Sequence, residues 1–122
     1  MKFLLDSVVL IDHFNAVAEA TEYLSKRQTD AAISVITRAE VLTGFAGRAA
    51  RKAEQLLDCF PTLGIDAAIA DLAAALRREH GWKLPYAFQA AIAQHHDSRL
   101  VTRNSRDFPP ARHRFVLVPY RV

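Results

Sequence analysis

Short apolar runs alternate along the chain with longer segments whose apolar residues recur at helical spacing. The runs are nearly continuous, which is typical of strands buried on both faces of a sheet. They predict five strands, at residues 2–5, 32–36, 62–65, 100–102 and 115–118. The segments between them predict helices over residues 8–11, 17–26, 48–60, 67–80 and 86–96, and another that begins after residue 36. Strands that alternate with helices indicate an α/β fold on a parallel sheet.

Acidic residues follow three of these strands. The first strand runs directly into Asp6, the second into a segment that contains Glu40, and the fourth into the polar segment that contains Asp107. The carboxyl ends of parallel strands meet at one edge of the sheet, where ligands bind in open α/β folds. Like charges at that edge repel and raise each other's pKa unless a cation lies between them. We therefore predict a divalent cation site formed by Asp6, Glu40 and Asp107.

Oxygen ligands of this kind select Mg²⁺ or Mn²⁺, which proteins usually hold by one or two carboxylates and several waters. Such an ion can polarise a phosphodiester and promote its hydrolysis without a covalent enzyme intermediate. Ser7, Thr37 and Asn104 stand near the acids in the sequence and are candidates to orient a ligand or a water molecule.

Two of the acids also have a structural interpretation. Asp6 is an N-cap candidate for the helix that follows it. Thr37 and Glu40 have the spacing of a capping box, with Thr37 as the N-cap residue. The structural and chemical roles are compatible, because a Glu in the first turn of a helix that leaves a strand end faces the same crevice.

The composition predicts a single domain over residues 1–122. The hydrophobic share is 51% and the charged share 24%, and the apolar runs are far shorter than the roughly 20 residues of a membrane span. We identify no signal peptide. The single cysteine, Cys59, excludes an internal disulfide and fits a reducing cytoplasm, and its apolar neighbours predict a buried thiol.

The net charge of +3 and the pI near 9.4 favour a polyanionic partner, although only mildly. Guanidinium groups suit phosphate, but solvated helix faces account for most of the arginines. Arg103 and Arg106, in the segment that leads to Asp107, are the best candidates to hold a phosphate backbone.

Several other chemistries lack their sequence motifs. The chain has neither GxGxxG nor GxxxxGK[ST], which argues against a nucleotide cofactor, and it has no GxSxG elbow. Its histidines show no HExxH motif, so a zinc site is not predicted. A phosphoacceptor domain would need a second acid beside Asp6 and a late lysine, and residues 100–122 contain no lysine.

The order of four segments resembles the PIN-domain family, and within it the VapC-type ribonuclease toxins of bacterial toxin–antitoxin pairs. The segments read FLLDSVVLID, ISVITRAEVLTGF, KLPYAFQAAIA and LVTRNSRDF, and together they extend from Phe3 to Phe108. Each segment is a weak signal alone, whereas the set in this order and spacing is a strong one.

The resemblance implies a three-layer α/β/α sandwich around a parallel sheet of four or five strands, usually homodimeric, with an acidic Mg²⁺ or Mn²⁺ site that cleaves single-stranded or loop RNA. Asp6, Glu40 and Asp107 match the first, second and last acids of the family, and Asn104 matches the polar residue before the last. The resemblance also implies a small VapB-type antitoxin whose C-terminal arm lies across the site.

The chain departs from the family pattern at two positions. Val8 stands where the family commonly has Asn, and Tyr86 stands where the pattern LPDA has its third acid. A phenol is neutral at pH 7 and is a poor magnesium ligand, which disfavours a site for two metals. Two hypotheses therefore stay open. One is a metal-dependent endoribonuclease toxin with impaired activity, and the other is a catalytically silent PIN-like module that binds RNA or an antitoxin-like protein.

Overall fold

The structure is a computed structural model that describes residues 2–122, so the first residue of the predicted domain lies outside the described range. The strands are β1 Phe3–Leu5, β2 Ala31–Ser34, β3 Thr62–Leu63, β4 Arg99–Val101 and β5 Val116–Leu117. The helices are α1 Ser7–Phe14, α2 Ala18–Lys26, α3 Val35–Thr43, α4 Gly47–Leu57, α5 Ala67–His80 and α6 Leu84–His95.

The five strands form one parallel sheet in the order β3-β2-β1-β4-β5. The central strand β1 pairs with β2 and β4, so that Phe3 lies opposite both Ala31 and Arg99. Because every pairing is parallel, the carboxyl ends of all five strands lie along the same edge. This confirms the predicted α/β fold with a parallel five-stranded sheet.

Successive strand residues face opposite sides of the sheet and enter two separate cores. Leu4 and Leu100 pack on one side, where buried residues of α5 and α6 cover the sheet. Leu5 and Val101 pack on the other side, against α1, α2, α3 and α4. The result is the expected α/β/α sandwich. Alanines line much of the buried face of α6, and their small side chains let the helix approach the strands closely.

The boundary between β2 and α3 differs from the prediction. The β-branched Val35 and Ile36 favour a strand by composition, yet the strand ends at Ser34 and the helix begins at Val35. The Ser34 hydroxyl accepts a hydrogen bond from the Thr37 backbone N–H at 3.0 Å and is the actual N-cap. The predicted capping box was therefore wrong, because Glu40 lies six residues after the actual N-cap and outside the first turn of α3.

The predicted burial of Cys59 was also wrong. Helix α4 ends at Leu57, and Cys59 lies exposed in the turn that follows, between the buried Leu57 and Phe60.

The ends of α5 match their prediction. The Asp66 side chain accepts a hydrogen bond from the Ile69 N–H at 3.0 Å, and the helix is followed by Gly81 in a left-handed conformation. Among the described residues, the helices are too short or too polar for a membrane span.

Candidate active site

Asp6 lies at the carboxyl end of the central strand, with only 7% of its surface exposed. Its Oδ1 accepts a hydrogen bond from the Ser7 backbone N–H at 2.9 Å, which confirms it as the N-cap of α1. Its Oδ2 accepts a hydrogen bond from the Thr102 hydroxyl at 2.7 Å. Its own N–H donates to the Val101 carbonyl at 2.9 Å, so both backbone and carboxylate are held at the junction of β1 and β4.

The centre of this network is Gln89, a residue of α6 that is 1% exposed. Its Nε2 donates to Asp6 Oδ1 at 3.1 Å and to the Thr37 hydroxyl at 2.7 Å. Its Oε1 accepts a hydrogen bond from the Ser34 hydroxyl at 2.5 Å. The Thr37 hydroxyl in turn donates to the Leu5 carbonyl at 3.3 Å. One amide thus joins the ends of β1 and β2, the first turn of α3 and the buried face of α6.

Gln89 was not among the site residues predicted from the sequence. The available signal was a single polar residue within the apolar segment AFQAAIA, on a helix predicted to pack against the sheet. A buried amide must find hydrogen-bond partners, and the strand ends are the nearest source of them. Thr37, predicted to stand near the acids, contacts Gln89 and is connected to Asp6 through two successive hydrogen bonds.

Glu40 is exposed, but its carboxyl group interacts with Ser7 and Asp6. The pKa of Glu40 is raised above its ordinary value, chiefly because the carboxyl group loses hydration among its neighbours. A hydrogen bond with the Ser7 side chain opposes this rise, and the negative charge of Asp6 adds to it. The structure therefore brings Asp6, Ser7 and Glu40 together at one edge of the sheet.

Asp107 is connected to Asp6 by a chain of hydrogen bonds. The Thr102 hydroxyl, which donates to Asp6, accepts a hydrogen bond from the Asn104 N–H at 3.0 Å. The Asn104 side chain donates from Nδ2 to Asp107 Oδ2 at 3.0 Å, and its Oδ1 accepts from the Asp107 N–H at 3.3 Å. The indole N–H of Trp82 donates to the Asp107 carbonyl at 2.8 Å. Asn104 therefore orients Asp107.

The three acids do not form a closed cage. Within residues 2–122, no group of three or more Asp, Glu, His or Cys side chains is placed to hold an ion. The carboxyl groups of Asp6 and Glu40 repel each other electrostatically, whereas Asp107 is connected to Asp6 through Thr102 and Asn104. This arrangement fits the usual mode of Mg²⁺ binding, in which one or two carboxylates and several waters complete the coordination. It does not fit a site in which three carboxylates contact one ion directly.

Tyr86 occupies the position of the missing acid and packs as an aromatic residue. Its ring lies edge-on to Phe108, with 5.8 Å between ring centroids, and it is partly buried against the core beside α6. It occupies the first turn of α6, three residues before Gln89. The side chain at this position therefore contributes an aromatic contact to the fold.

Arg103, a predicted phosphate contact, pairs with Asp12 within the fold. Its Nε donates to Asp12 Oδ2 at 2.6 Å and its Nη2 to Asp12 Oδ1 at 2.9 Å, and the Tyr120 hydroxyl donates to Asp12 Oδ2 at 2.8 Å. The hydrogen bond from Arg103 is the largest cause that lowers the pKa of Asp12. The guanidinium is committed to this pair, whereas Arg106 is exposed. Of the two predicted phosphate contacts, Arg106 is the more accessible.

Comparison with known proteins supplies the family context. A family model described as PIN domain matches residues 3–112. The chain is similar to a solved structure titled as a toxin–antitoxin complex from Klebsiella pneumoniae, at a TM-score of 0.91 and 36% identity over 99% of this chain and 100% of that chain. A search of curated protein sequences finds no match.

Two further solved structures share the fold at lower identity. One is FitAcB from Neisseria gonorrhoeae, at a TM-score of 0.78 and 22% identity over 98% of this chain and 99% of that chain. The other is VapBC2 from Rickettsia felis bound to a promoter DNA fragment, at a TM-score of 0.74 and 19% identity over 96% of each chain.

Proposed function

Because this chain belongs to the PIN-domain family, we propose that it is a metal-dependent endoribonuclease that acts as the VapC-type toxin of a toxin–antitoxin pair. One observation carries the proposal. Asp6 is a buried carboxylate at the end of the central strand, and its hydrogen-bond donors in residues 2–122 are neutral groups. Its charge is oriented without being neutralised, and Glu40 stands beside it. A cation at this edge would relieve the repulsion between the two acids.

Asp6 and Glu40 are the residues that would hold Mg²⁺ or Mn²⁺, with Asp107 participating through water. The ion would supply the positive charge that polarises the scissile phosphodiester. Residues of the protein would orient the acids. Thr102 and Gln89 keep the Asp6 carboxylate in one orientation, and Asn104 does the same for Asp107.

Ser7 and Thr37 complete the polar surroundings of the acids. Ser7 interacts with Glu40. The Thr37 hydroxyl accepts a hydrogen bond from the Gln89 side chain. Arg106 is exposed next to Asp107 and is suited to hold a phosphate of the RNA strand. In the proposed mechanism these residues orient the acids and the substrate, while the hydrolytic chemistry occurs at Asp6 and Glu40.

An antitoxin partner is part of the proposal. The similar structure at 36% identity is titled as a toxin–antitoxin complex and covers this chain almost completely. We infer that a small VapB-type protein binds this chain and blocks the acidic edge. A homodimer is also expected, and sedimentation or size-exclusion measurements with light scattering would test it.

Replacement of Tyr86 by Asp tests the enzymatic proposal. Tyr86→Asp restores the missing acid in the first turn of α6, so we expect stronger Mg²⁺ binding in calorimetry and faster cleavage of single-stranded and stem-loop RNAs. Tyr86→Phe is the matched control, since it preserves the ring that packs on Phe108 and adds no charge. Absence of cleavage by Tyr86→Asp across a broad RNA panel with Mn²⁺ would contradict the nuclease assignment.

The second candidate is a catalytically silent PIN-like module that binds RNA or an antitoxin-like protein. Two observations favour it, namely the neutral ring of Tyr86 at an acid position and the lack of a three-acid cage among the described residues. The calorimetric experiment separates the two candidates. A chain that gives no heat with Mg²⁺ but retains affinity for RNA or for the antitoxin is the silent module.

A further inference from the structure

A recess of about 250 Å³ lies next to the acidic edge, where the turn between α5 and α6 meets the loop before β5. Its lining includes His80, Trp82, Arg106, Asp107, Arg112 and His113, and we call it the arginine–histidine recess. Its walls are mainly polar. The volume is below the roughly 300–1,000 Å³ of sites for drug-sized ligands. It therefore suits one small charged group of a larger molecule that continues outside.

The wall on the α5–α6 side is held by several local contacts. Gly81 takes a left-handed conformation and reverses the chain after α5, and the Arg77 guanidinium donates to the Trp82 carbonyl at 2.7 Å. The His80 ring stacks on the Trp82 ring, with 4.3 Å between centroids. Trp82 is 6% exposed. Its indole is a structural wall, with too little free surface to stack on a nucleobase.

The opposite wall is a tight turn. The Pro109 carbonyl accepts hydrogen bonds from the N–H groups of Arg112 and His113, at 3.1 and 3.2 Å. This turn places Arg112 at the rim of the recess and packs His113 edge-on against His80, at 5.1 Å between centroids. The two walls are joined by the hydrogen bond from Trp82 to the Asp107 carbonyl. The recess is thus preformed by local contacts.

The charge of the recess is positive. Arg106 and Arg112 are exposed, and guanidinium groups are cationic. Two acids lie nearby. The Asp107 carboxylate is hydrogen-bonded to Asn104, and Glu79 lies 3.8 Å from the His80 Nε2 but is largely exposed. The pKa of His113 is lowered, first by burial and then by the charges of His80 and Arg112, which agrees with a local excess of positive charge.

We propose that the arginine–histidine recess binds a phosphate group of the RNA strand, held by Arg106 and Arg112 with His80 and His113 as additional donors. The inference rests on the proposed nuclease function and adds Arg112, His80 and His113 to its binding surface. Guanidinium forks and imidazole N–H groups are complementary to phosphate oxygens. Asp107 belongs to both the recess and the acidic edge, so the bound phosphate neighbours the one that is cleaved.

The protein carries a direct reporter of this recess, because Trp82 is the single tryptophan of the chain. We would titrate the full-length protein with short single-stranded RNA in EDTA, so that cleavage does not interfere, and follow both tryptophan fluorescence and the anisotropy of labelled RNA. Inorganic phosphate and a mononucleotide form separate arms of the experiment, because the same side chains could bind a free phosphate.

Arg112→Ala is the test variant and Arg114→Ala is its control. Both remove one exposed arginine from the same loop, but Arg114 lines a different surface, next to Arg99 and Phe115. Loss of a charge-assisted hydrogen bond in Arg112→Ala should weaken RNA binding about tenfold. The plot of the logarithm of the binding constant against the logarithm of the salt concentration has a negative slope, and its magnitude should decrease by about 0.7. Arg112→Lys should recover part of the affinity, and Arg114→Ala should stay within about twofold of the parent protein.

Equal losses in Arg112→Ala and Arg114→Ala would overturn the inference, since they would indicate diffuse attraction by net charge. A fluorescence change with inorganic phosphate but none with RNA would overturn it too, because the recess would then be a site for free anions. The nuclease proposal is judged separately by the Mn²⁺ cleavage assay. RNA binding through Arg112 without any cleavage would support the proposal for the recess and contradict the nuclease proposal.

Discussion

Asp6 and Asp12 lie at opposite ends of helix α1 and are almost equally buried, at 7% and 6% exposure. Their partners differ completely. Asp6 receives hydrogen bonds from a backbone N–H, an amide and a hydroxyl, all of them neutral. Asp12 receives two hydrogen bonds from the Arg103 guanidinium and one from the Tyr120 hydroxyl.

The difference in partners is the basis for proposing a structural role for Asp12 and a catalytic role for Asp6. The charge of Asp12 is balanced within the fold, and its pair joins α1 to the segment after β4 and to the C-terminal segment. The charge of Asp6 is oriented but not balanced, and the nearby carboxyl group of Glu40 makes the region more negative. Burial alone does not distinguish the two acids, whereas the formal charge of their donors does.

The largest expected effect is on catalysis. Asp6→Asn, made in the Tyr86→Asp background, should reduce RNA cleavage by at least about a hundredfold, because even partners outside the coordination shell of a metal are worth about 10–100-fold. Asp12→Asn in the same background should keep cleavage within a few fold. Initial rates of cleavage of a labelled RNA measure both. Comparable rate losses in the two variants would remove the distinction drawn between the acids.

The next effect is on stability. Asp12→Ala leaves the Arg103 guanidinium without its partner, and breaking a buried pair costs about 3–5 kcal/mol. The Arg103 side chain is 31% exposed, so we expect a smaller loss, of about 2–3 kcal/mol, in the free energy of unfolding by urea. The double variant with Arg103→Ala should lose less than the sum of the two single variants. Strict additivity would show that the ion pair contributes nothing.

A smaller effect is expected for the phenol of Tyr120. Tyr120→Phe keeps the ring and removes the hydrogen bond to Asp12, which should lower the free energy of unfolding by about 1 kcal/mol. The pKa of Tyr120 is raised by burial and by Asp12, so the phenol is a neutral donor at the pH of the unfolding measurements. The same substitution in the Asp12→Ala background should have little further effect. An equal loss in both backgrounds would place the contribution in the ring contacts instead.

The smallest effect concerns acid stability. The pKa of Asp12 is lowered from its ordinary 3.8, chiefly by the Arg103 hydrogen bond. An acid whose pKa is lowered in the folded state stabilises the protein at pH values above its pKa in the unfolded state. This contribution is lost as the pH falls through its pKa in the folded state. Urea unfolding between about pH 5 and pH 2 should therefore show a steeper loss for the parent protein than for Asp12→Ala. Parallel curves would contradict the assignment.

The sheet and the location of its acidic edge could be predicted from local pattern. Local sequence signals, such as the apolar runs, the Asp66 cap and Gly81, predict the structure of the residues next to them. The parallel arrangement follows from the alternation of strands and helices. The convergence of Asp6 and Glu40 followed from the same reasoning, because both come after neighbouring parallel strands.

The partners of the acids could not be predicted, because they come from distant parts of the chain. Gln89 is 83 residues from Asp6, and Arg103 is 91 residues from Asp12. Local preference also misplaced the start of α3, where β-branched residues follow the true cap at Ser34. The resemblance identified where an acid is missing, at Tyr86, but the structure was needed to show that a ring pair with Phe108 occupies that position.

Because a single amide at Gln89 ties Ser34, Thr37 and Asp6 together, the polypeptide assembles its acidic edge from its own side chains. Removal of that amide would therefore take a hydrogen-bond partner from three polar groups at once.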